Sequence, residues 1–360
     1  MKKQWVAVAM SLVMSTMALA GCGSGSGSDS GSGSDSASST QPEDSSTTEV
    51  VSDAATGDGL TIQIIPMSTA SDYWTALRKG AEQAAKDYTD KYGKITVLYN
   101  GPAQNGDSAT QIDIMNNAVT AQVDGILLAA TDPEALLSAV DDSVAAGIPT
   151  ITVDSGVTPN NADSFICTNN VDACKAMAEY MAGLMGEKGK YAVVGDSYEF
   201  AAGTDRPKGF EEGMSEYPEI ENLGIQLAYS DINEASSITT NFLTANPDIS
   251  CIFAANDAAI TGASNAFKQE GINGDILLCS VDVSEDIIRY MREGMIQATV
   301  LQSPYDMGYQ GVETVLKLID GETVEKEVDA STFILTPDNL DTDEAITAIR
   351  QYLPDYEPEK

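Results

Sequence analysis

The chain has 360 residues, a formal net charge of −36 and 42% apolar residues. So acidic a surface repels a phosphate backbone, which sets nucleic acid aside as a partner. Histidine is absent, which removes the usual general base, the commonest zinc ligand and every His-activated nucleophile, while carboxylate catalysis of the glycosidase kind stays open.

Lys2 and Lys3 precede an uncharged apolar run over residues 5–20. At 16 residues this run is short of the about 20 that a bilayer span needs. A positive start, an apolar middle and small residues at the end describe a secretory signal peptide. The run closes on Leu19-Ala20-Gly21-Cys22, a tetrad that resembles the lipobox of bacterial lipoproteins. The resemblance implies that residues 1–21 are removed and that the Cys22 thiol carries a lipid. Residues 23–58 hold no aromatic side chain and cannot bury enough apolar surface to offset their ordering entropy, so 22–58 reads as a lipid anchor with a disordered Gly/Ser linker. A coil of that kind spans roughly 30–36 Å.

From Leu60 onward, short apolar runs alternate with helix-length amphipathic segments. TIQIIPM (61–67) reads as a buried strand, and 72–92 as a helix whose inner face carries Trp74, Leu77, Ala81, Ala84, Ala85 and Tyr88. ITVLYN (95–100), a helix from about Asp107, GILLAAT (125–131), a helix opened by the cap-and-proline pair Asp132-Pro133, and PTITVDS (149–155) follow. The rhythm repeats through SFICTNN (164–170), KYAVVGD (190–196), IQLAYSD (225–231), SCIFAAND (250–257), DILLCSVD (275–282), IQATVLQS (296–303) and STFILT (331–336). Continuous rather than alternating hydrophobicity means that both sheet faces are covered, and strand–helix–strand order means parallel pairing. The expected fold is α/β, with two doubly wound parallel-sheet lobes.

Cys251 and Cys279 sit inside apolar runs and read as core residues. Cys167 and Cys174 end a strand and begin a helix, and whether they bridge is left open. Polar residues recur at the strand ends: Asp154, Asn169, Asp196, Asp231, Asn256-Asp257, Asp282 and Gln302. Each alone fits a helix cap. Together they fit a polar crevice outside the carboxyl ends of parallel strands.

YWTALRKGAEQAAKDY, VDGILLAATDPEAL, AGIPTITVDS, RPKGFEEGM, IFAANDAAITGA and ATVLQSPYDMGYQGVE stand in this order between residues 60 and 336. In order and spacing they resemble the type I periplasmic sugar-binding family, in its ribose-binding-like branch. The resemblance implies a three-strand hinge near Thr168, Gln302 and Ser331. It implies an N-terminal lobe of 59–168 plus 303–331 and a C-terminal lobe of 169–302 plus 332–360. The family's ring-sandwiching aromatics correspond to Tyr73 and Trp74, its hydroxyl acceptor to Asp154, its ND asparagine to Asn256, its second-lobe aspartate to Asp282 and its hinge glutamine to Gln302. Ser71, Ser155, Thr204 and Arg206 complete the candidate ligand set. Ser155 and Thr204 stand where ribose binders carry arginine, and Ala129 stands where they carry asparagine. These departures point away from ribose itself, towards a larger or differently substituted ring. Arg206 matches a further family arginine with a structural role.

The resemblance implies a monomeric, lipid-anchored extracytoplasmic protein on the bacterial cell membrane. It captures a small polyhydroxylated ligand by hinge closure and delivers it to the permease of an ABC importer, with no cofactor, metal or catalytic residue. Two other readings stand beside it. One is a ligand-sensing subunit for a membrane receptor or kinase. The other is a carboxylate glycosidase using two of Asp154, Asp257 and Asp282.

Overall fold

The structure, a computed structural model, describes residues 59–358. The expected signal peptide, the Cys22 anchor and the tether lie outside the described residues. The first half runs β1 (Gly59–Ile65), α1 (Asp72–Asp87), α2 (Thr89–Tyr92), β2 (Lys94–Tyr99), α3 (Ser108–Ala121), β3 (Gly125–Leu128), α4 (Leu137–Ala145), β4 (Thr150–Val153) and β5 (Ser164–Thr168). The second half repeats it with α5 (Asn170–Met185), β6 (Lys188–Gly195), α6 (Ala201–Ser215), β7 (Glu219–Leu227), α7 (Ile232–Ala245), β8 (Cys251–Ala254), α8 (Asp257–Glu270), β9 (Leu277–Val281), α9 (Glu285–Arg292) and β10 (Ala298–Leu301). The chain ends with α10 (Pro304–Ile319), β11 (Glu327–Ala330), β12 (Phe333–Leu335) and α11 (Asp343–Tyr352). Among the described residues no helix is long and apolar enough to cross a membrane.

One sheet has the order β11-β5-β4-β3-β1-β2 and the other β12-β10-β9-β8-β6-β7. Without the C-terminal strands the two orders repeat one doubly wound pattern, with a switch point beside β1 in the first sheet and beside β6 in the second. Every residue of β3, β4, β8 and β10 is buried, which explains their unbroken hydrophobicity. Side chains alternate across each sheet. Ile126 and Leu128 join the core under α3 and α4, while Leu127 joins the core under α1 and α10. The second sheet repeats this, with Ile252 on one face and Cys251 and Phe253 on the other.

The chain passes between the sheets three times. It leaves β5 for α5 after Thr168, leaves β10 for α10 at Gln302-Ser303, and leaves β11 for β12 at Ser331-Thr332. The passages are tied to one another. Thr168 Oγ1 donates to Gln302 Oε1 at 2.9 Å, and Ser303 Oγ donates to the Ser331 carbonyl at 2.8 Å. α10 returns to the first lobe and packs on α1 at backbone contact. A Cβ on Gly80 would lie 1.9 Å from the Tyr305 carbonyl oxygen, and one on Gly308 1.9 Å from that of Leu77.

Three local expectations are corrected, and the open question of a Cys167–Cys174 bridge is answered. The helix expected over 72–92 breaks at Tyr88 into α1 and α2. Asp132 caps a turn rather than a helix: it accepts from the Glu134 and Ala135 amides, but the Pro133 carbonyl is taken by the Thr158 amide, and α4 starts only at Leu137. β12 pairs antiparallel with β10, so the second sheet is mixed. Cys167 and Cys174 are free and buried, as are Cys251 and Cys279.

Candidate functional site

Two aspartates hold equivalent places in the repeat. Asp154 follows β4 and Asp282 follows β9. Each donates its backbone N–H at 2.8 Å to the neighbouring strand, Asp154 to the Ile166 carbonyl and Asp282 to the Val300 carbonyl. Each has a left-handed backbone, with φ 64° and 81°. That conformation is uncommon without glycine and costs of order 1 kcal/mol or more, so it persists only where the surroundings impose it. It keeps both carboxylates out of helix capping.

The other polar strand ends behave differently. Asn169 caps α5, Asp231 caps α7 and Asn256 caps α8 through its Oδ1 and the Ala259 amide. Ser71 likewise caps α1. Asp196 accepts from the Ser230 hydroxyl at 3.0 Å. Asn256 Nδ2 donates to Ser230 Oγ at 3.5 Å.

Around Asp154, the Tyr73 hydroxyl donates to Oδ1 at 2.6 Å and the Ser155 hydroxyl to Oδ2 at 3.1 Å. Around Asp282, Gln302 Nε2 donates to Oδ1 at 2.7 Å and the Tyr352 hydroxyl to the same oxygen at 2.5 Å. Arg206 Nη1 stands 3.7 Å from Asp282 Oδ2. Its guanidinium is fixed by donation to Asn170 Oδ1 at 2.8 Å and to the Ala255 carbonyl at 3.0 Å. The Tyr73 and Tyr352 rings meet edge to face, with centroids 5.3 Å apart.

Of the candidate set, the structure therefore gathers Tyr73, Asp154, Ser155, Arg206, Asp282 and Gln302. Trp74 is 5% exposed and belongs to the first-lobe core. Its ring stands edge-on to that of Tyr73 at 4.8 Å and 86°. No ring fits between the two, so the expected sandwich between Tyr73 and Trp74 is corrected: adjacent helical positions diverge, and Trp74 takes the inward one. Thr204 is exposed on α6. Sequence reasoning missed Tyr352 and Asn170.

Burial pushes both phenols well above their ordinary value, and the neighbouring carboxylate adds to it, Asp154 for Tyr73 and Asp282 for Tyr352. Both therefore stay protonated and act as donors. Burial lowers the Arg206 value, but Asp282 and the other acidic neighbours outweigh it and hold the guanidinium above its ordinary range. Burial raises the Asp154 carboxyl, against the Tyr73 hydrogen bond, the Arg206 charge and the Ser155 hydrogen bond, while the Asp282 charge adds to the rise.

A raised carboxyl binds its proton in the folded protein at a pH where the unfolded chain has already lost it. Asp154 thus favours folding at low pH and loses that contribution as pH rises through its folded value. Ligand binding runs the other way, because a protonated carboxyl is a poorer acceptor. We expect ligand affinity to fall on acidification above the range of an ordinary aspartate, which titrates near about 4. Calorimetry from about pH 7 to about pH 4 checks this, and a flat profile counts against Asp154 as a ligand contact.

Cys167, Glu327 and Asp329 bring ligand atoms within 4.8 Å of one another. Burial and the neighbouring carboxylates push the Cys167 thiol up to about 12. Without a cation beside it, Cys167 is a protonated thiol.

The model of the periplasmic binding protein domain family matches residues 62–323. The D-ribose/D-allose-binding protein of Pseudomonas aeruginosa is 23% identical over 281 residues, 74% of this chain and 85% of its own. The ribose import binding protein of Escherichia coli is 28% identical over 268 residues, 74% of this chain and 86% of its own. Among solved structures, an ABC transporter solute-binding protein from Agrobacterium vitis with bound D-fucose superposes with a TM-score of 0.72. It is 32% identical and covers 79% of this chain and 98% of its own. A carbohydrate transporter solute-binding protein from Agrobacterium radiobacter in complex with D-arabinose gives a TM-score of 0.74 at 27% identity, covering 81% and 99%. With two doubly wound sheets, three passages between them and the family model matched over most of the chain, the chain belongs to the periplasmic binding protein family.

Proposed function

We propose that this protein is the extracytoplasmic sugar-binding component of an ABC importer. The observation that carries the reading is the pair Asp154 and Asp282, presented from equivalent strand ends of the two lobes with Tyr73 beside them. Carboxylates accept strong hydrogen bonds from hydroxyls, and an aromatic ring covers the apolar side of a sugar. Relatives that bind ribose or allose and a fold neighbour holding D-fucose support the substrate class. A ligand touching both lobes binds the closed arrangement better than the open one, and so shifts the population towards it. No bond is made or broken in the crevice. The importer's own subunits handle ATP. The lobes are 59–168 with 303–331 and 169–302 with 332–360, and the protein acts as a monomer.

A thermal-shift screen of monosaccharides tests the reading. At a hundred times its dissociation constant a bound sugar adds about 2.7 kcal/mol of stability. If no sugar on the panel raises the melting temperature, the reading fails.

The membrane attachment belongs to the same proposal. Leu19-Ala20-Gly21-Cys22 makes Cys22 the lipid-bearing first residue of the mature chain, tethered through 23–58. Cys22→Ala is expected to release a folded protein from the membrane. Fractionation in high salt checks it, and a variant that stays with the membranes removes the lipobox reading.

A further inference from the structure

We propose that Tyr352, on the C-terminal helix α11, is a specificity-determining residue of the crevice: its ring walls the hinge end of the site and its hydroxyl sets the orientation of Asp282. The proposal rests on the sugar-binding reading above. Tyr352 lies beyond residues 62–323, the span the family model matches.

The helix is built into the second lobe. Ala345 and Ile349 are 0% exposed and Tyr352 3%, seated among Ile288, Leu335 and Leu340. These positions recur at the spacing of one helical face, and Thr342 caps the first turn. α11 also reaches the first lobe, where Gln351 Oε1 accepts from the Asp306 amide at 3.0 Å. The position of the Tyr352 ring is thus fixed from both sides.

From this seat the hydroxyl donates to Asp282 Oδ1 at 2.5 Å, an oxygen that also accepts from Gln302 at 2.7 Å. Two donors on one oxygen hold the carboxylate plane and leave Oδ2 facing Arg206 across 3.7 Å. That is too long for a direct hydrogen bond. A ligand hydroxyl can close it, donating to Oδ2 and accepting from the guanidinium. The other edge of the Tyr352 ring meets Tyr73, whose own hydroxyl holds Asp154 Oδ1 at 2.6 Å. Both lobes therefore use one device, a left-handed strand-end aspartate with Oδ1 on a tyrosine, and the two tyrosines touch. A sugar seated between the Oδ2 atoms meets an aromatic wall beside Gln302. A bulky ring substituent on that side would meet the Tyr352 ring.

The test is titration calorimetry of D-ribose, D-allose, D-arabinose, D-fucose and D-tagatose against the full chain, Tyr352→Phe and Tyr352→Ala. Tyr352→Phe keeps the wall and loses the hydroxyl. It should weaken every sugar the parent binds by about tenfold or more and keep their rank order. Tyr352→Ala should also change the rank order, favouring the bulkier sugars relative to the smaller. If Tyr352→Ala fails to fold, as circular dichroism would show, Tyr352→Phe decides. Affinities within about twofold of the parent in both variants would overturn the proposal. So would tighter binding with an unchanged rank order, which marks Tyr352 as a plug rather than a wall. A parent that binds none of the five sugars overturns the sugar reading and this proposal together, whereas a binding parent with unaffected variants overturns the proposal alone.

Discussion

Asp154→Ala lowers sugar affinity by about 2–5 kcal/mol, roughly 30- to 5,000-fold in Kd, with little change in melting temperature. The affinity cost arises because, once the lobes close on the sugar, the hydroxyl that donated to the carboxylate is left unpaired. Stability is spared because the partners of Asp154 are the hydroxyls of Tyr73 and Ser155, which water entering the vacated volume can satisfy. The left-handed backbone at φ 64° remains a strain that alanine bears no better than aspartate. Asp282→Ala should lose a similar amount of affinity but also melt earlier. Its carboxylate is the anionic neighbour of Arg206, itself 7% exposed, and a buried cation that loses its counter-charge is destabilising. The pair of variants thus separates ligand contact from scaffold. Calorimetry with whichever monosaccharide the screen selects gives the affinities, and circular dichroism gives the melting temperatures. Near-parent affinity in both variants would sink the site assignment and, with it, the main support for a sugar.

The sheets were legible because parallel strands covered on both faces must be unbroken apolar runs. GILL of β3 and CIFA of β8 show this without any need for context. β11 was not legible. Its sequence is EVDA, and as an edge strand paired only to β5 it needs no apolar face to be stable. α11 was also missed, although Ala345, Ile349 and Tyr352 carry its apolar stripe. A short amphipathic segment says that it packs, not on what, and its partner at Asp282 is 70 residues away in sequence. Strand-end polar residues were visible as a set, but caps and crevice groups looked alike. What tells Asn256 from Asp282 is backbone conformation, extended at the cap and left-handed at the crevice. That difference is imposed by the neighbouring strand that accepts the Asp282 amide. Trp74 was legible on the inner face of its helix from spacing alone, yet the resemblance also made it a ring-sandwiching aromatic, and what keeps it in the core is how α1 is rotated against α10. The backbone contact at Gly80 and Gly308 fixes that rotation.

Phe210→Ala is expected to produce the largest loss of stability, about 3–5 kcal/mol. Phe210 is 0% exposed, stacks on Phe253 at 4.4 Å and 15°, and meets Tyr191 edge to face at 5.5 Å. Truncation removes the transfer energy of the ring, leaves a cavity in the second lobe and loses aromatic pairing worth about 0.5–1.5 kcal/mol per contact. The loss also reaches the crevice. Phe210 lies one helical turn beyond Arg206 on α6, so it anchors the segment that holds the guanidinium against Asp282. At about 2–4 °C per kcal/mol the melting temperature should fall by roughly 6–20 °C. Saturating sugar should recover part of this, about 2.7 kcal/mol at a hundred times Kd, because it binds only the folded protein. Differential scanning calorimetry with and without sugar reads both quantities. If the lobes melt separately, only one transition should move. A loss below about 1 kcal/mol would show that the site collapses around the missing ring, and that Phe210 does not hold α6 in place.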